Sequence, residues 1–269
     1  MALSSSLIAE LLASDFLDWE PVAGGQSGAS VFHDRGRQRY VKIVQADRVE
    51  ELAAERDRSE WLAETDIPCT QVLDWRETDA GAGLLTRAVP GVPASALDPS
   101  ALRRAWPSVV TMVRALHALS ADRCPFDRTL AQMMTLASAT VAEGKVVVEY
   151  LPESLQHTAP ALILQQIETE LPVRRAQERA DLVVCHGDLC LPNVVVDPAT
   201  DRVTGLIDLG RLGTADPYGD IALLLATARE AWPDETTARR ADLELAQIYG
   251  TELDPDRQDF YLRLDALTW

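Results

Sequence analysis

The stretch HGDLCLPN, residues 186–193, decides how this sequence of 269 residues is interpreted. Apolar residues flank it on both sides, at 182–185 and 194–196, and each flank predicts a short strand. A loop between two strands can hold the carboxylate of Asp188 and the amide of Asn193 rigidly together. This loop is therefore the first candidate site in the chain.

A second carboxylate stands at the end of another apolar segment. GLIDLG, residues 205–210, places Asp208 after a predicted strand, and a glycine two residues later allows a sharp turn. Taken singly, such residues are ordinary turn formers. Together, Asp188, Asn193 and Asp208 match the needs of phosphoryl transfer. Mg2+ prefers hard oxygen ligands, which Asn193 and Asp208 offer, while Asp188 would orient an attacking hydroxyl and accept its proton.

A lysine and a glutamate complete this inventory. Residues 39–44 alternate as a strand does, which sets Lys42 on the face opposite to its apolar neighbours. The helix predicted over 48–63 carries Glu55 on the same face as two leucines, where an unpaired carboxylate would be costly. We expect Glu55 to pair with Lys42, whose ammonium would contact phosphate. Glu51, one turn earlier, is the alternative partner.

Strand and helix patterns divide the chain into two parts. Up to residue 89 the pattern predicts strands, a hairpin at Arg35-Gly36 and one helix. Beyond the linker PGVP, residues 90–93, helical periods are predicted at 101–119 (interrupted or restarted at Pro107), 130–143, 160–180 and from Pro217 onwards. The result is an α+β fold with a small β-rich N-lobe, residues 1–89, and a larger, mostly helical C-lobe, residues 90–269.

Composition limits the partners of the protein. A net charge of −17 argues against a nucleic-acid partner, because phosphate backbones demand Lys and Arg. The charge fits a cationic substrate, although a solvated acidic surface would also account for it. No run approaches the ~20 apolar residues of a membrane helix, and residues 1–19 lack the basic start and apolar core of a signal peptide. We expect a cytoplasmic protein without a membrane partner, monomeric, with a dimer as the alternative.

The four cysteines, Cys69, Cys124, Cys185 and Cys190, are scattered along the chain. None forms a CxxC pair and no histidine cluster accompanies them, so zinc is not expected. Free thiols in a reducing compartment are the interpretation that fits a chain of this length.

HGDLCLPN followed by LIDLGRLGTADPYGD resembles the aminoglycoside phosphotransferase family, distant relatives of the protein kinases. The resemblance implies a protein-kinase-like two-lobe fold and a reaction that uses ATP and Mg2+ to phosphorylate a small cationic aminoglycoside. It implies that Asp188 is the catalytic base and that Asn193 and Asp208 bind magnesium.

The resemblance also places the glycine-rich turn GGQSG, residues 24–28, over the ATP phosphates. The amides of Ser27 and Gly28 would lie nearest to them. Such a turn is weak evidence by itself, because a glycine-rich hairpin is usually only a turn and no GK[ST] follows.

The segment LLTRAVPG, residues 84–91, stands where kinases place the hinge between the lobes. Within it, Thr86, Arg87 and Val89 would adjoin the adenine, which would bond to the carbonyl of Arg87 and the amide of Val89. An ordinary linker between domains is the alternative reading.

Three further residues are expected to support the site rather than to react. By resemblance, Asp220 braces the catalytic loop through hydrogen bonds, and His186 also braces the loop rather than acting as a base. Asp216 precedes Pro217, and an Asp-Pro pair is a good helix start, so Asp216 is expected to be a cap.

Acidic residues crowd the end of the chain, with ten acidic against four basic residues between 230 and 269. Some would form a solvated helix face, and others would line a site for a polycationic sugar. Glu230 and Asp234 are candidates for such contacts. By resemblance, the aromatic-rich final helix carries a late carboxylate that contacts the drug, which here is Asp265.

Similarity outside the catalytic motif indicates the group of the family that phosphorylates the 3''-hydroxyl of streptomycin and so gives antibiotic resistance. The shared stretches are ERDRxxWL from Glu55, PGVPA from Pro90, ELPVR from Glu170, VVCHGDxCxPN from Val183, GLIDLGRLGTAD from Gly205 and FYLRLDxLTW from Phe260. The first 20 residues and residues 127–165 depart from that group, and the second of these regions would shape the acceptor pocket.

Two other functions fit parts of this pattern. A kinase of the same fold could act on another aminoglycoside, a macrolide, homoserine, choline or fructosamine, since the HGD motif does not select the acceptor. An inactive kinase-like binding protein would lack catalytic groups, yet Lys42, Asp188, Asn193 and Asp208 are all present. A protein kinase is disfavoured by HGD in place of HRD and by the missing APE segment.

Overall fold

A computed structural model of the protein describes residues 19–22 and 29–269. The glycine-rich turn at 24–28, with Ser27 and Gly28, lies outside the described residues. The described chain forms two compact units. The first contains the described residues up to Gly91, with Val195–Asp197 and Thr204–Gly210, and the second contains Val92–Val194, Pro198–Val203 and Arg211–Trp269.

The first unit is built on a five-stranded antiparallel sheet with the order β1-β2-β3-β5-β4. Its strands are β1 Trp19–Pro21, β2 Ser30–Asp34, β3 Arg39–Gln45, β4 Gln71–Thr78 and β5 Gly81–Arg87. The hairpin expected at Arg35-Gly36 joins β2 to β3. It is held by Asp34, whose side chain accepts the backbone N–H groups of Gln38 and Arg39.

One helix, α1 (Val49–Ala63), packs on this sheet. Leu52 and Leu62 point inward, and Leu52 joins a cluster with Val44 and Leu84 of the neighbouring strands. The apolar spacing of three and four residues explains why this stretch is helical and which face it buries. The helical spacing therefore determines which side chains of α1 face the sheet.

The described part of the second unit is mainly helical. Its helices are α2 Pro99–His117, α3 Leu130–Ala142, α4 Pro160–Asp181, α5 Tyr218–Ala231, α6 Glu235–Tyr249 and α7 Pro255–Ala266. A sheet region and a helical region confirm the predicted α+β class. Within the described ranges, no helix is long and apolar enough to cross a bilayer.

Helix α2 corrects one expectation. It was expected to break or restart at Pro107, but it runs continuously through that residue. Asp98 caps its first turn by accepting the N–H groups of Ser100 and Ala101, and Pro99 suits the first position. The hydroxyl of Thr111 donates to the Pro107 carbonyl, and the buried apolar face of the helix outweighs the one backbone bond that proline removes.

Five further short strands lie in the described chain. They are β6 Val92–Pro93, β7 Val183–Cys185, β8 Val194–Asp197, β9 Arg202–Leu206 and β10 Gly213–Ala215. The strands expected at 182–185 and 194–196 correspond to β7 and β8, and the strand expected before Asp208 corresponds to β9. Strand β10 was not expected; it pairs antiparallel with β7 and so fixes the entrance to the loop.

Candidate active site

In the first unit, β3 and α1 bring Lys42 and Glu55 together. The Lys42 Nζ lies 2.8 Å from each carboxylate oxygen of Glu55. It also lies 3.0 Å from Oδ1 of Asp208, which follows β9. Three groups that are far apart in the sequence therefore form one cluster around a single ammonium.

Electrostatics keep this cluster ionised. Burial alone would lower the pKa of Lys42, but the carboxylates of Glu55 and Asp208 raise it above its usual range. Burial raises the pKa of Glu55 while the ammonium opposes that shift. An ammonium in contact with both Glu55 oxygens favours the charged pair. Glu51, the alternative partner, instead pairs with Arg48 on the surface.

Asp208 has an unusual backbone conformation. Its φ is +60°, in the left-handed region that non-glycine residues seldom adopt. The sharp turn was expected two residues later, at Gly210, but the positive φ belongs to Asp208 itself. The turn directs its carboxylate toward Lys42, and the side chain stays 45% exposed. An exposed carboxylate oxygen next to a lysine can serve a cation and phosphates together.

The residues expected at the hinge lie at the end of β5. Thr86 and Arg87 are the last residues of the strand, and Val89 follows two residues later. The Arg87 carbonyl accepts the hydroxyl of Thr70 at 3.2 Å, which uses one of the two lone pairs of that oxygen. Val89 packs against Gly205, where a Cβ would come within 2.9 Å of its side chain.

In the second unit, one carboxylate of α5 holds the start of the HGD loop by hydrogen bonds. Asp220 accepts the backbone N–H of His186 at 2.6 Å and that of Gly187 at 2.8 Å. Its side chain is fully buried. Burial raises the pKa of Asp220, but hydrogen bonds from His117 and the loop hold it below its usual range. The geometry is the one expected of a loop support.

The loop itself requires a glycine and a histidine. Gly187 has a φ of +81°, and a Cβ there would lie 2.0 Å from the carbonyl oxygen of Arg211, so no larger residue fits. Nδ1 of the buried His186 accepts the N–H of Asp188 at 3.3 Å. His186 thus braces the backbone around the candidate base.

The side chains of Asp188 and Asn193, the two candidate site residues of the loop, lie side by side. Nδ2 of Asn193 donates to the carbonyl of Asp188 at 2.8 Å and to its Oδ2 at 3.1 Å. The amide nitrogen is thereby oriented, and the amide oxygen is the atom that has the chemistry of a magnesium ligand. The side chains of Asp188 and Asn193 are held as a pair before any substrate binds.

Behind the loop lies a buried group that was not expected from the sequence. Nε2 of His117 lies 3.1 Å from Asp220, and its Nδ1 lies 2.8 Å from the Tyr249 hydroxyl. His117, Cys185 and Asp220 place their potential ligand atoms within 4.8 Å of one another. Each of these atoms has a hydrogen-bond partner, since the Cys185 thiol donates to the Asp216 carbonyl. The cluster is a hydrogen-bond network. All four cysteines, each within the described residues, are free as expected.

Asp216 has a larger role than a cap. Its Oδ1 accepts the N–H of Tyr218 at the start of α5, as a cap would. Its Oδ2 accepts two hydrogen bonds from Arg257, at 2.9 and 2.6 Å, in the interior. Asp216 therefore also ties α5 to α7, which the local sequence could not indicate.

Asp265 lies in a cationic and aromatic cluster near the end of the chain. Its Oδ1 is 3.3 Å from Arg128 and 3.4 Å from Arg211, and its Oδ2 accepts the indole N–H of Trp269 at 3.0 Å. The Arg211 guanidinium stacks 3.4 Å from the centre of the Trp269 ring. Sequence reasoning named Asp265 alone and missed both arginines, although Arg211 belongs to the quoted IDLGRLG segment.

The other two candidate substrate residues are ordinary in their surroundings. Asp234 accepts the N–H of Thr237 and caps α6, and this bond lowers the pKa of the exposed carboxyl. Glu230 is exposed in the last turn of α5. A capping role therefore accounts for Asp234 without a substrate.

A sheet that carries a paired lysine and glutamate, with a separate helical unit that anchors an HGD loop, defines a kinase-like phosphotransferase. The chain belongs to the phosphotransferase enzyme family, which it matches over residues 18–260.

Comparisons with known proteins narrow the group. The chain is 52% identical to a streptomycin 3''-kinase of Streptomyces griseus, over 94% of this chain and 93% of that protein. It is 38% identical to an aminoglycoside 3'-phosphotransferase of Streptomyces fradiae, over 92% and 94% of the two chains. The aminoglycoside phosphotransferase APH(3'')-Id of Streptomyces rimosus, solved with ADP and streptomycin, superposes with a TM-score of 0.94 at 49% identity, with all of both chains covered.

Proposed function

We propose that this chain transfers the γ-phosphoryl group of ATP to the 3''-hydroxyl of streptomycin and thereby inactivates the antibiotic. The observation that carries the proposal is the 52% identity to a streptomycin 3''-kinase along nearly the whole of both proteins. The relative solved with ADP and streptomycin supports both substrates. The HGD loop with Asp188 supplies the chemistry.

Asp188 is the proposed base. Phosphoryl transfer needs little covalent help from a protein, so catalysis consists of placing the acceptor hydroxyl in line and taking its proton. Asn193 holds the Asp188 carboxylate by one oxygen. The Asp188 carboxylate is the group that would accept the proton of the substrate hydroxyl. Asp220 limits the motion of the loop that carries both groups.

Asn193 and Asp208 are the proposed magnesium ligands. Both offer hard oxygens, and Mg2+ typically uses one or two protein groups together with phosphates and waters. The metal, when bound, neutralises charge on the transferred and leaving phosphates. Because the Asp208 side chain is half exposed, its oxygens are accessible to a cation.

Lys42 is the proposed phosphate contact, and Glu55 orients it. The Lys42 ammonium has one positive charge and contacts two carboxylates, so the cluster has an excess of one negative charge. Magnesium held by Asp208 would offset this excess negative charge, and Lys42, oriented by Glu55, would then be able to bind phosphate. The carbonyl of Arg87 and the amide of Val89 are the proposed adenine contacts, next to Thr86, with Ser27 and Gly28 over the phosphates.

The acceptor is proposed from the relatives and from charge. Streptomycin is cationic, and the net charge of −17 favours its encounter with the protein. Asp265, Glu230 and Asp234 remain the candidate carboxylates for it. The 3'-phosphotransferase relatives make a 3'-hydroxyl aminoglycoside the second candidate acceptor. We place the reaction in the cytoplasm, where ATP and a reducing medium are found, and expect a monomer.

The test is a coupled assay of ADP release with Mg-ATP and a panel of cationic sugars that includes streptomycin and 3'-hydroxyl aminoglycosides. Mass spectrometry and NMR of the product locate the phosphate. A phosphate on the 3''-hydroxyl of streptomycin is the expected result. Turnover only with a 3'-hydroxyl aminoglycoside would move the chain to the second acceptor, and ATP binding without turnover on any sugar would refute the proposal.

A further inference from the structure

One helix, α5, holds the catalytic loop at both ends. Near its start, Asp220 accepts the N–H groups of His186 and Gly187. Seven residues later, Oγ1 of Thr227 accepts the N–H of Leu191 at 3.3 Å. Seven residues are about two turns, so both side chains project from the same face of the helix. The backbone N–H groups at the start and near the end of the loop are thus bound by two side chains on one face of α5.

The Leu191 N–H, which donates to Thr227, has no hydrogen-bond acceptor within its own turn. Leu191–Asn193 forms a short 3-10 helix in which the Asn193 N–H bonds to the Cys190 carbonyl. Pro192 has no N–H. The Leu191 N–H is therefore a donor that the turn itself does not satisfy, as is usual for the first N–H groups of a helix. The Leu191 side chain is buried, so water is a poor substitute.

The Thr227 hydroxyl is oriented to accept. It donates its single proton toward the backbone of its own helix, 3.0 Å from the Leu223 carbonyl and 3.3 Å from that of Leu224. A hydroxyl with its proton so engaged keeps its lone pairs for an incoming N–H. Back-bonding alone is common for threonine in helices. The bond to Leu191 is what distinguishes Thr227 from such cases.

We propose that Thr227 is a positioning residue of the phosphotransferase site. Its hydroxyl fixes the Leu191–Asn193 turn and thereby sets the Asn193 side chain against Asp188. The inference rests on the proposed function, because it assigns Thr227 a part in that reaction. Thr227 touches no reacting atom and acts through Leu191 and Asn193.

The experiment compares three variants of the full chain. Thr227→Val removes the hydroxyl and keeps the shape, whereas Thr227→Ser keeps the hydroxyl. Thr111→Val is the matched control, because the hydroxyl of exposed Thr111 donates to the Pro107 carbonyl of its own helix. For each, kcat, the KM for streptomycin and the Mg2+ concentration at half-maximal rate are measured. Hydrogen exchange of the Leu191 amide is followed in selectively labelled protein without nucleotide.

Thr227→Val is expected to lower kcat about tenfold, the loss of roughly one hydrogen bond, and to raise the half-saturating Mg2+ concentration severalfold. The KM for streptomycin stays within about twofold, and the Leu191 amide exchanges about tenfold faster. Thr227→Ser and Thr111→Val match the wild type. Wild-type kcat and Mg2+ dependence in folded Thr227→Val would overturn the proposal, whatever happens to Tm.

Two further outcomes are decisive. If Thr227→Val does not fold, Thr227→Ala is judged by the same criteria, and rapid exchange of the Leu191 amide in the wild type would by itself refute the hydrogen bond. If the wild type turns over no aminoglycoside, the proposed function fails, and with it the catalytic part of this inference. Slow Leu191 exchange that depends on Thr227 would then assign the bond to structure alone.

Discussion

The side-chain amide nitrogen of Asn193 donates hydrogen bonds to two oxygens of Asp188, the backbone carbonyl at 2.8 Å and the carboxylate Oδ2 at 3.1 Å. The two residues are five positions apart, and the turn that carries Asn193 is held by Thr227 of α5. The carboxylate of the proposed base is thereby fixed relative to Asn193, a proposed magnesium ligand. The relationship therefore predicts different consequences for losing the base and for losing the metal.

Replacing Asp188 with Ala removes the proposed base. We expect kcat to fall by about 10²- to 10⁴-fold, the usual contribution of a positioned proton acceptor. The affinity for Mg-ATP should change little, because the proposed nucleotide contacts of Lys42 and Glu55 remain. Steady-state kinetics and titration with a fluorescent nucleotide separate the two effects. Asp188→Asn, which preserves the size of the side chain, is the matched variant, and wild-type turnover in either would remove Asp188 as the base.

Replacing Asp208 with Ala acts on binding instead. We expect the Mg2+-dependent part of the nucleotide affinity to disappear, while any Mg2+-independent part stays as in the wild type. Titrations with and without Mg2+ measure this difference directly. Asp47→Ala removes an exposed carboxylate from the same unit and should behave as the wild type. Undiminished Mg2+-dependent binding in Asp208→Ala would place the metal elsewhere.

Asp220 makes the stability of the second unit depend on pH in the acidic range. Its pKa is held below the ordinary value of 3.8, so the unfolded chain binds its proton more readily than the folded chain does. The stabilisation is complete above pH ~4 and is lost as the pH falls through the folded-state value. Asp220→Asn should lower the free energy of unfolding by about 3–5 kcal/mol near neutral pH, since buried donors lose their partner.

Urea unfolding at pH 7, 5 and 3.5 measures this effect. The wild type should lose stability between the last two values, and Asp220→Asn should lose less over the same interval. Asp79→Asn, in the exposed turn between β4 and β5, should keep the wild-type dependence. Parallel curves for the wild type and Asp220→Asn would show that another carboxyl carries the acid response.

Local pattern predicted one part of the site well. Glu55 could be singled out because helical spacing put it beside Leu52 and Leu62, and the structure pairs it with Lys42. The strands that flank the HGD loop could be recognised because each is a short apolar run. These inferences use neighbours within a turn or a strand, which is the range over which sequence periodicity carries information.

Other features depend on contacts between distant residues. Arg128 meets Asp265 across 137 positions and Thr227 meets Leu191 across 36, and no periodicity relates such pairs. The continuous helix through Pro107 was missed because tertiary burial overrides a local breaker.

Asp265 separates a structural role from a substrate contact. Its two oxygens already meet Arg128, Arg211 and Trp269, and only 7% of the residue is exposed. Burial and the Arg211 charge lower the pKa of Arg128 to about 10, and removing the charge of Asp265 takes away the carboxylate that is hydrogen-bonded to this buried cation. We expect Asp265→Asn to lower the free energy of unfolding by about 3–5 kcal/mol, measured by urea unfolding.

The KM for streptomycin decides between the two roles of Asp265. The geometry predicts a change of less than about threefold, under 1 kcal/mol, because the carboxylate is engaged within the protein. Asp256→Asn, on the exposed side of the same helix, is the control and should change neither quantity. A KM that rises more than about tenfold in Asp265→Asn, at a temperature where the variant is fully folded, would instead support the direct drug contact that the resemblance implies. Arg128 and Arg211 would then have to release an oxygen of Asp265 to the guanidinium groups of streptomycin.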